Sequence, residues 1–131
     1  MNFDSVFAKP TGRLSRNDFI GGLVVLLLVV ALYVLVAKAG RNGDWVLVTL
    51  LFPAFVLHAN RLHDMGKTAW LLLVPGLPAI AFSWLHLFLP QSELTTPMGW
   101  IAAVLVVAFA VWGLVGKGEA AANKFGAAAA A

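Results

Sequence analysis

From residue 19 to residue 37 the chain carries no charge and is built largely of leucine and valine, with Asp18 before the run and Lys38 after it. At about 1.5 Å per helical residue this stretch reaches roughly 28 Å, close to the thickness of a bilayer's hydrocarbon core. It reads as a transmembrane helix. Ser15 stands where a side-chain oxygen can accept from the first free backbone N–H groups, with Asp18 three residues on, so the helix is expected to begin near Arg16. Ala37-Lys38-Ala39 has the small-x-small form of a leader-peptidase site. The apolar run is longer than a signal peptide's core and more spans follow, so an uncleaved first span is expected.

Three further apolar segments follow, at about 45–60, 70–89 and 98–115. The second contains Pro53. The third carries Pro75, Gly76 and Pro78 in its first half, and a helix through them is expected to be bent or broken there. Trp45, Trp70, Trp100 and Trp112 fall near segment ends, where indoles favour the headgroup level. Trp84 does not, and is expected to pack between helices. Charged residues make up 11% of the chain, against about 25% in soluble domains, and 61% of it is hydrophobic. An ordinary soluble globular domain is therefore excluded. The fold class expected is all-α: a polytopic membrane protein, a four-transmembrane-helix bundle with kinked second and third spans. Residues 1–18 form a leader, 19–115 the membrane domain and 116–131 a tail.

Orientation follows from the basic residues. Lys9, Arg13, Arg16, Arg61, Lys67, Lys117 and Lys124 fall on one side of a four-span chain, and only Lys38 and Arg41 on the other. By the positive-inside rule both termini are cytoplasmic. The net charge of +3 suits anionic headgroups better than nucleic acid. Membrane lipids are thus expected partners and nucleic acid is not.

Chemistry has little to draw on. There is no cysteine, so thiolate catalysis and thiolate-held metals are excluded. No metalloprotease, nucleophile-elbow or phosphate-loop motif occurs. Ser83 and His86 stand one helical turn apart with no third group to orient them. His58, His63 and His86 fall at different depths and share no helical face, which argues against a metal centre. No enzyme activity, cofactor or metal is expected. The densest polar stretch is Asn60-Arg61-Leu62-His63-Asp64-Met65-Gly66-Lys67-Thr68. One reading is a hairpin turn of solvated charges, with Gly66 supplying a left-handed residue. The other is a site in which Asp64 fixes Arg61 or His63 by a charge-assisted bond. In the fourth span Gly99, Ala103, Val106, Ala110 and Gly113 recur at steps of four and three. They form a seam of mostly small residues for close helix packing, within the chain or against another membrane protein or another copy of itself.

The polar boundaries carry three motifs. Gly12-Arg13-Leu14-Ser15-Arg16-Asn17-Asp18-Phe19, Arg61-Leu62-His63-Asp64-Met65-Gly66-Lys67-Thr68-Ala69-Trp70 and Asn123-Lys124-Phe125-Gly126 stand in order at the ends of apolar segments. In these the chain resembles the domain-of-unknown-function family 805 of small bacterial inner-membrane proteins. Thr68-Ala69 replaces the family's usual Ser-Gly, and alanines fill 127–131 where the family tends to continue with polar residues and proline. The resemblance implies a multi-pass protein of the bacterial inner membrane with no assigned activity. In the orientation above, all three motifs are cytoplasmic, so Arg13, Arg16, Arg61, His63, Asp64, Lys67, Asn123 and Lys124 can converge. Asp64 is expected to pair with Arg61, Arg13 or Arg16. Two function classes follow: an interaction, scaffold or accessory subunit of a larger membrane assembly, or a small transporter or lipid-binding protein with a cavity at its proline-bearing helices.

Overall fold

The structure is a computed structural model that describes residues 2–37 and 48–129. It is helical throughout, and the described residues contain no strand beyond one isolated bridge between Asn123 and Gly126. A π-helical turn, Asp4–Ala8, precedes α1 (Arg16–Ala37). Next come α2 (Leu51–Asp64), a 3-10 turn (Ala69–Leu72), α3 (Leu73–Phe88) and α4 (Thr95–Val115).

Among the described residues, three stretches are long and apolar enough to cross a membrane: 16–35 within α1, 69–88 through the 3-10 turn and α3, and α4 itself. The chain is a multi-pass membrane protein. The fourth expected span corresponds to α2, whose 14 residues are too few to cross by themselves. The start of that span, with Trp45, lies outside the described residues, as do Lys38 and Arg41 of the minority basic side and the 37–39 cleavage motif beyond Ala37.

α1 starts at Arg16 because Ser15 caps it, the Ser15 Oγ accepting from the Asp18 amide at 3.2 Å. Pro53 falls in the first turn of α2, where an N–H has no helical partner. Residues 48–49 are helical and Leu50 interrupts them from α2, as expected where a proline ring excludes the carbonyl four residues back. In α3 the helix runs unbroken through Pro75, Gly76 and Pro78, which corrects the expected break. Pro75 is the third residue of α3 and needs no N–H partner, so Pro78 alone removes a helical bond. The irregular backbone comes earlier, in the 3-10 turn, where Thr68 Oγ1 accepts from the Trp70 amide at 3.3 Å.

The interior sits at one end of the bundle. Val6, Phe7, Leu14, Phe19 and Leu57 form one buried cluster, and Ala59, Leu62, Met65 and Leu72 a second. α2 is the hub of both, and from Val56 to Met65 only His58 is not fully buried. Beyond this end the helices present leucine, valine and phenylalanine outward, as spans in lipid do, because burying one apolar face against another gains little there. Trp84 is 62% exposed and lies against Phe88 of its own helix, correcting the expectation that it packs between helices. Its i, i+4 position on an outward face decides this.

α3 and α4 make the most extensive helix pair. Gly99 allows it, because a Cβ there would stand 2.9 Å from the Phe82 ring. Gly113 lies on a different contact, where a Cβ would stand 2.6 Å from Phe19 of α1 and 3.3 Å from Arg61 Cγ of α2. Between them Ala103 and Val106 are exposed, Ala110 is half-buried, and the fully buried alanine is Ala102. Gly99, Ala103, Ala110 and Gly113 therefore do not share one contact within the chain. Gly113→Leu is expected to cost roughly 1–3 kcal/mol or more by overpacking against Phe19, while Ala103→Leu stays within about 0.5 kcal/mol. Unfolding of the two variants in one detergent measures the difference.

Candidate functional site

The chain's three polar motifs meet at the packed end. α2 does not stop at Asn60, as a polar hairpin loop would require. It continues one further turn to Asp64, and the turn proper is Met65 to Thr68, with Gly66 at φ 75°. Asn60, Arg61, His63 and Asp64 are thus helical residues, and all four are buried. A hairpin of solvated charges is not what forms.

Arg61 is 1% exposed, and burial of a guanidinium is costly unless its donors are met. They are met from three directions. Nε donates to Gly113 O at 2.8 Å and Nη2 to Gly116 O at 2.6 Å. Nη1 donates to Leu14 O at 3.2 Å and to Asp64 Oδ2 at 2.8 Å. Burial presses the guanidinium's pKa down, Asp64 raises it and nearby Arg16 lowers it; an arginine so placed keeps its charge. The Gly113 carbonyl is among the last four of α4, which have no helical partner. α4 has no basic residue in its last turn, so Arg61 supplies the positive charge that favours a helix C-terminus. Arg16 adds to it, donating from Nη2 to Val115 O and Gly116 O at 3.3 and 3.0 Å.

Asp64 joins this cap to the rest. Its other oxygen, Oδ1, accepts from Arg13 Nε at 3.1 Å and lies 3.0 Å from Arg13 Nη2, with side-chain exposures of 2% for Arg13 and 7% for Asp64. Arg13 in turn donates to Glu119 O, Ala121 O and Gly126 O at 2.6, 2.8 and 3.2 Å. One carboxylate therefore bridges two arginines, one holding α4 and the other the segment after it. A Cβ on Gly118 would collide with the Asp64 carboxylate, so the chain can pass here only as glycine.

His63 and Asn123 close the same end. His63 Nδ1 donates to Gly12 O at 2.9 Å, which puts its proton on that nitrogen. Its ring stacks on Phe125 at 4.0 Å and 12°. Burial lowers the His63 pKa, the Gly12 bond raises it and Lys124 lowers it, so the ring is neutral at pH 7. Asn123 Nδ2 donates to His63 O at 3.0 Å, and Lys124 Nζ lies 5.0 Å over Phe125. Lys67 is exposed and joins no bond of this network.

Asn60, not singled out from the sequence, is fully buried. Its Nδ2 donates to Ser5 O and Lys9 O, its Oδ1 accepts from the Gly12 amide, and its carbonyl accepts from Leu14 N. The leader is accordingly ordered: Asp4 lies in a helical turn and forms a loose, exposed pair with Lys9 at 3.9 Å. An amide at the end of an apolar segment, next to Arg61 on a helix that ends in Arg-x-x-Asp, was the available signal.

Chemically the cluster is a closed clasp. Both Asp64 oxygens are taken from within the chain. The polar hollow beside it, about 410 Å³ and edged by Arg16, Lys117 and Glu119, mixes both signs of charge. Among the described residues no three histidines or carboxylates gather to hold a metal. His58 donates to Ala54 O and His86 stacks on Phe82. Ser83 donates to Ala79 O at 2.8 Å, which is a backbone bond. Asp64→Asn leaves two buried guanidiniums short of their counter-ion and is expected to cost about 3–5 kcal/mol. Asp4→Asn is expected to change stability by about 0.5 kcal/mol or less. Thermal unfolding in detergent compares them.

No curated protein and no solved structure matches the chain significantly. A family model does, over residues 7–127, and it is described as "Protein of unknown function (DUF805)". That match runs through all three motifs and nearly the whole chain, which therefore belongs to the DUF805 family.

Proposed function

We propose that the chain is a non-catalytic accessory or scaffold subunit of a bacterial inner-membrane assembly, crossing four times with both termini cytoplasmic. In this reading the span that includes α2 is completed by the residues before it, with its bend at Leu50 and Pro53, and α3 bends at Pro78. The seven-to-two split of basic residues supports the orientation. The meeting of Arg13, Asp64 and Glu119 at one end supports an even number of crossings.

One observation carries the interaction role. In each of the three long apolar windows only 11% of residues are buried within the chain. The far half of α1 is barest, with Leu27, Leu28, Leu32 and Leu35 each more than 60% exposed. The clasp fixes the helices at one end and leaves these faces to lipid, to another membrane protein or to another copy of the chain. The exposed Ala103 and Val106 of α4 suit close approach by a foreign helix.

A second reading, a lipid-binding protein or small transporter, is favoured by an apolar groove beside Pro75 and Gly76. Photo-crosslinking residues placed at Leu28 and Leu32 in cells separate the two. The accessory role predicts a protein adduct of one discrete mass, a self-adduct included, and lipid adducts alone would contradict it.

A further inference from the structure

The start of α1 and the end of α4 meet beside the clasp, and the polar hollow of about 410 Å³ lies between them. Arg16 and Asn17 edge it on the α1 side, Lys117 and Gly118 on the other, with Arg61 and Asp64 of the clasp in its wall. Charge is not balanced here. Arg13, Arg16, Arg61 and Lys117 gather against two carboxylates, Asp64 and Glu119. Asp64 is taken up by Arg13 and Arg61. A Cβ on Gly66 would strike the Glu119 carboxylate, so that group lies against the turn after α2, and Gly66 is not part of the hollow's lining. Arg16 and Lys117 have no ion pair among the described residues, and the charge of Arg16 already opposes that of Arg61. Arg16 gives only Nη2 to the end of α4, which leaves its Nε and Nη1 for a further acceptor.

We propose that this hollow seats the phosphate of an anionic phospholipid, with Arg16 and Lys117 as its charged partners and Asn17 as a neutral donor. Depth supports a lipid. The apolar windows of α1 and α4 start at Arg16 and stop at Val115, so the hollow lies just outside the hydrocarbon, where lipid phosphates are. Basic pockets between transmembrane helices take anionic headgroups at this level. A guanidinium suits phosphate geometry and an ammonium adds a point charge. Ile20 and Val24 stand one and two turns along the same stripe of α1 as Arg16. Both are exposed, as are Val111 and Val115 of α4, which gives acyl chains an apolar surface leading away from the hollow. A free phosphate would make no use of that surface. The inference goes beyond the accessory role and does not depend on it.

The test uses the full chain in a neutral maltoside detergent. Native mass spectrometry measures binding of phosphatidylglycerol, of phosphatidylcholine with the same tails, and of inorganic phosphate. Phosphatidylglycerol is expected to bind saturably and about tenfold or more tightly than phosphatidylcholine, whose choline brings a like charge to the basic hollow. At about 1 kcal/mol per basic residue near an anionic lipid, Lys117→Gln should weaken it about fivefold. Asn17→Asp should weaken it as much, although an acid in the first turn of α1 favours the helix, so that loss is not one of folding. Lys67→Gln removes an exposed cation at the same end but outside the hollow, and should change binding by about twofold or less. Equal binding of the two lipids, or a loss in Lys67→Gln as large as in Lys117→Gln, would overturn the proposal, because the surface charge as a whole would then be what attracts lipid. Inorganic phosphate that displaces phosphatidylglycerol at equal concentration would overturn the lipid as occupant and assign the hollow to soluble phosphate.

Discussion

A single carboxylate held between two buried guanidiniums organises this protein. Asp64 accepts from Arg61 with one oxygen and from Arg13 with the other, and neither arginine could be buried there alone. Removing a guanidinium from water costs several kcal/mol, recovered only when geometry and hydrogen bonding are good. Here the remaining donors go to backbone carbonyls, those of Leu14, Gly113 and Gly116 for Arg61 and those of Glu119, Ala121 and Gly126 for Arg13. The same bonds satisfy the guanidinium donors, offset part of their charge and tie the leader, the end of α2, the end of α4 and the C-terminal segment together.

This explains why the packed interior sits at one end. In lipid, apolar helix faces gain little by meeting one another, whereas at a polar end the hydrophobic effect acts in full. Val6, Phe7 and Leu14 come from the leader to cover Phe19 and Leu57. Gly113 and Gly118 let backbone approach Arg61 and Asp64 where any side chain would collide. The far ends of the helices, free of such ties, expose large apolar faces and the groove beside Pro75 and Gly76. A closed clasp and open membrane faces together favour binding within the membrane over chemistry at the clasp.

Much of this was legible in the residues. Uninterrupted apolar runs located α1 and α4, and Ser15 located the start of α1, because these depend on local sequence and the solvent alone. The pairing of Asp64 with an arginine was expected because a lone carboxylate near anionic headgroups is unfavourable. What could not be read was that α2 carries its helix through Arg61 to Asp64. A polar run in an apolar chain looks like a loop until the distant leader that buries it is in place. Asn60 was passed over for the same reason, since its partners Ser5, Lys9 and Gly12 lie some fifty residues away in sequence. The small-residue seam does not form one contact within the chain, because periodicity defines a stripe and not which neighbour covers it. Gly99 meets Phe82 and Gly113 meets Phe19, but Ala103 is exposed. Pro75 misled because its effect depends on where the helix begins.

The most direct test of the clasp is a double-mutant cycle on Arg13→Ala and Asp64→Ala, read by reversible unfolding in detergent. If one carboxylate truly links the leader to α2, each single change is strongly destabilising and the pair costs less than their sum by about 1 kcal/mol or more. Additivity within about 0.5 kcal/mol, the behaviour of independent sites, would mean that Arg13 and Asp64 do not act on one another and that the clasp is not what holds this end together.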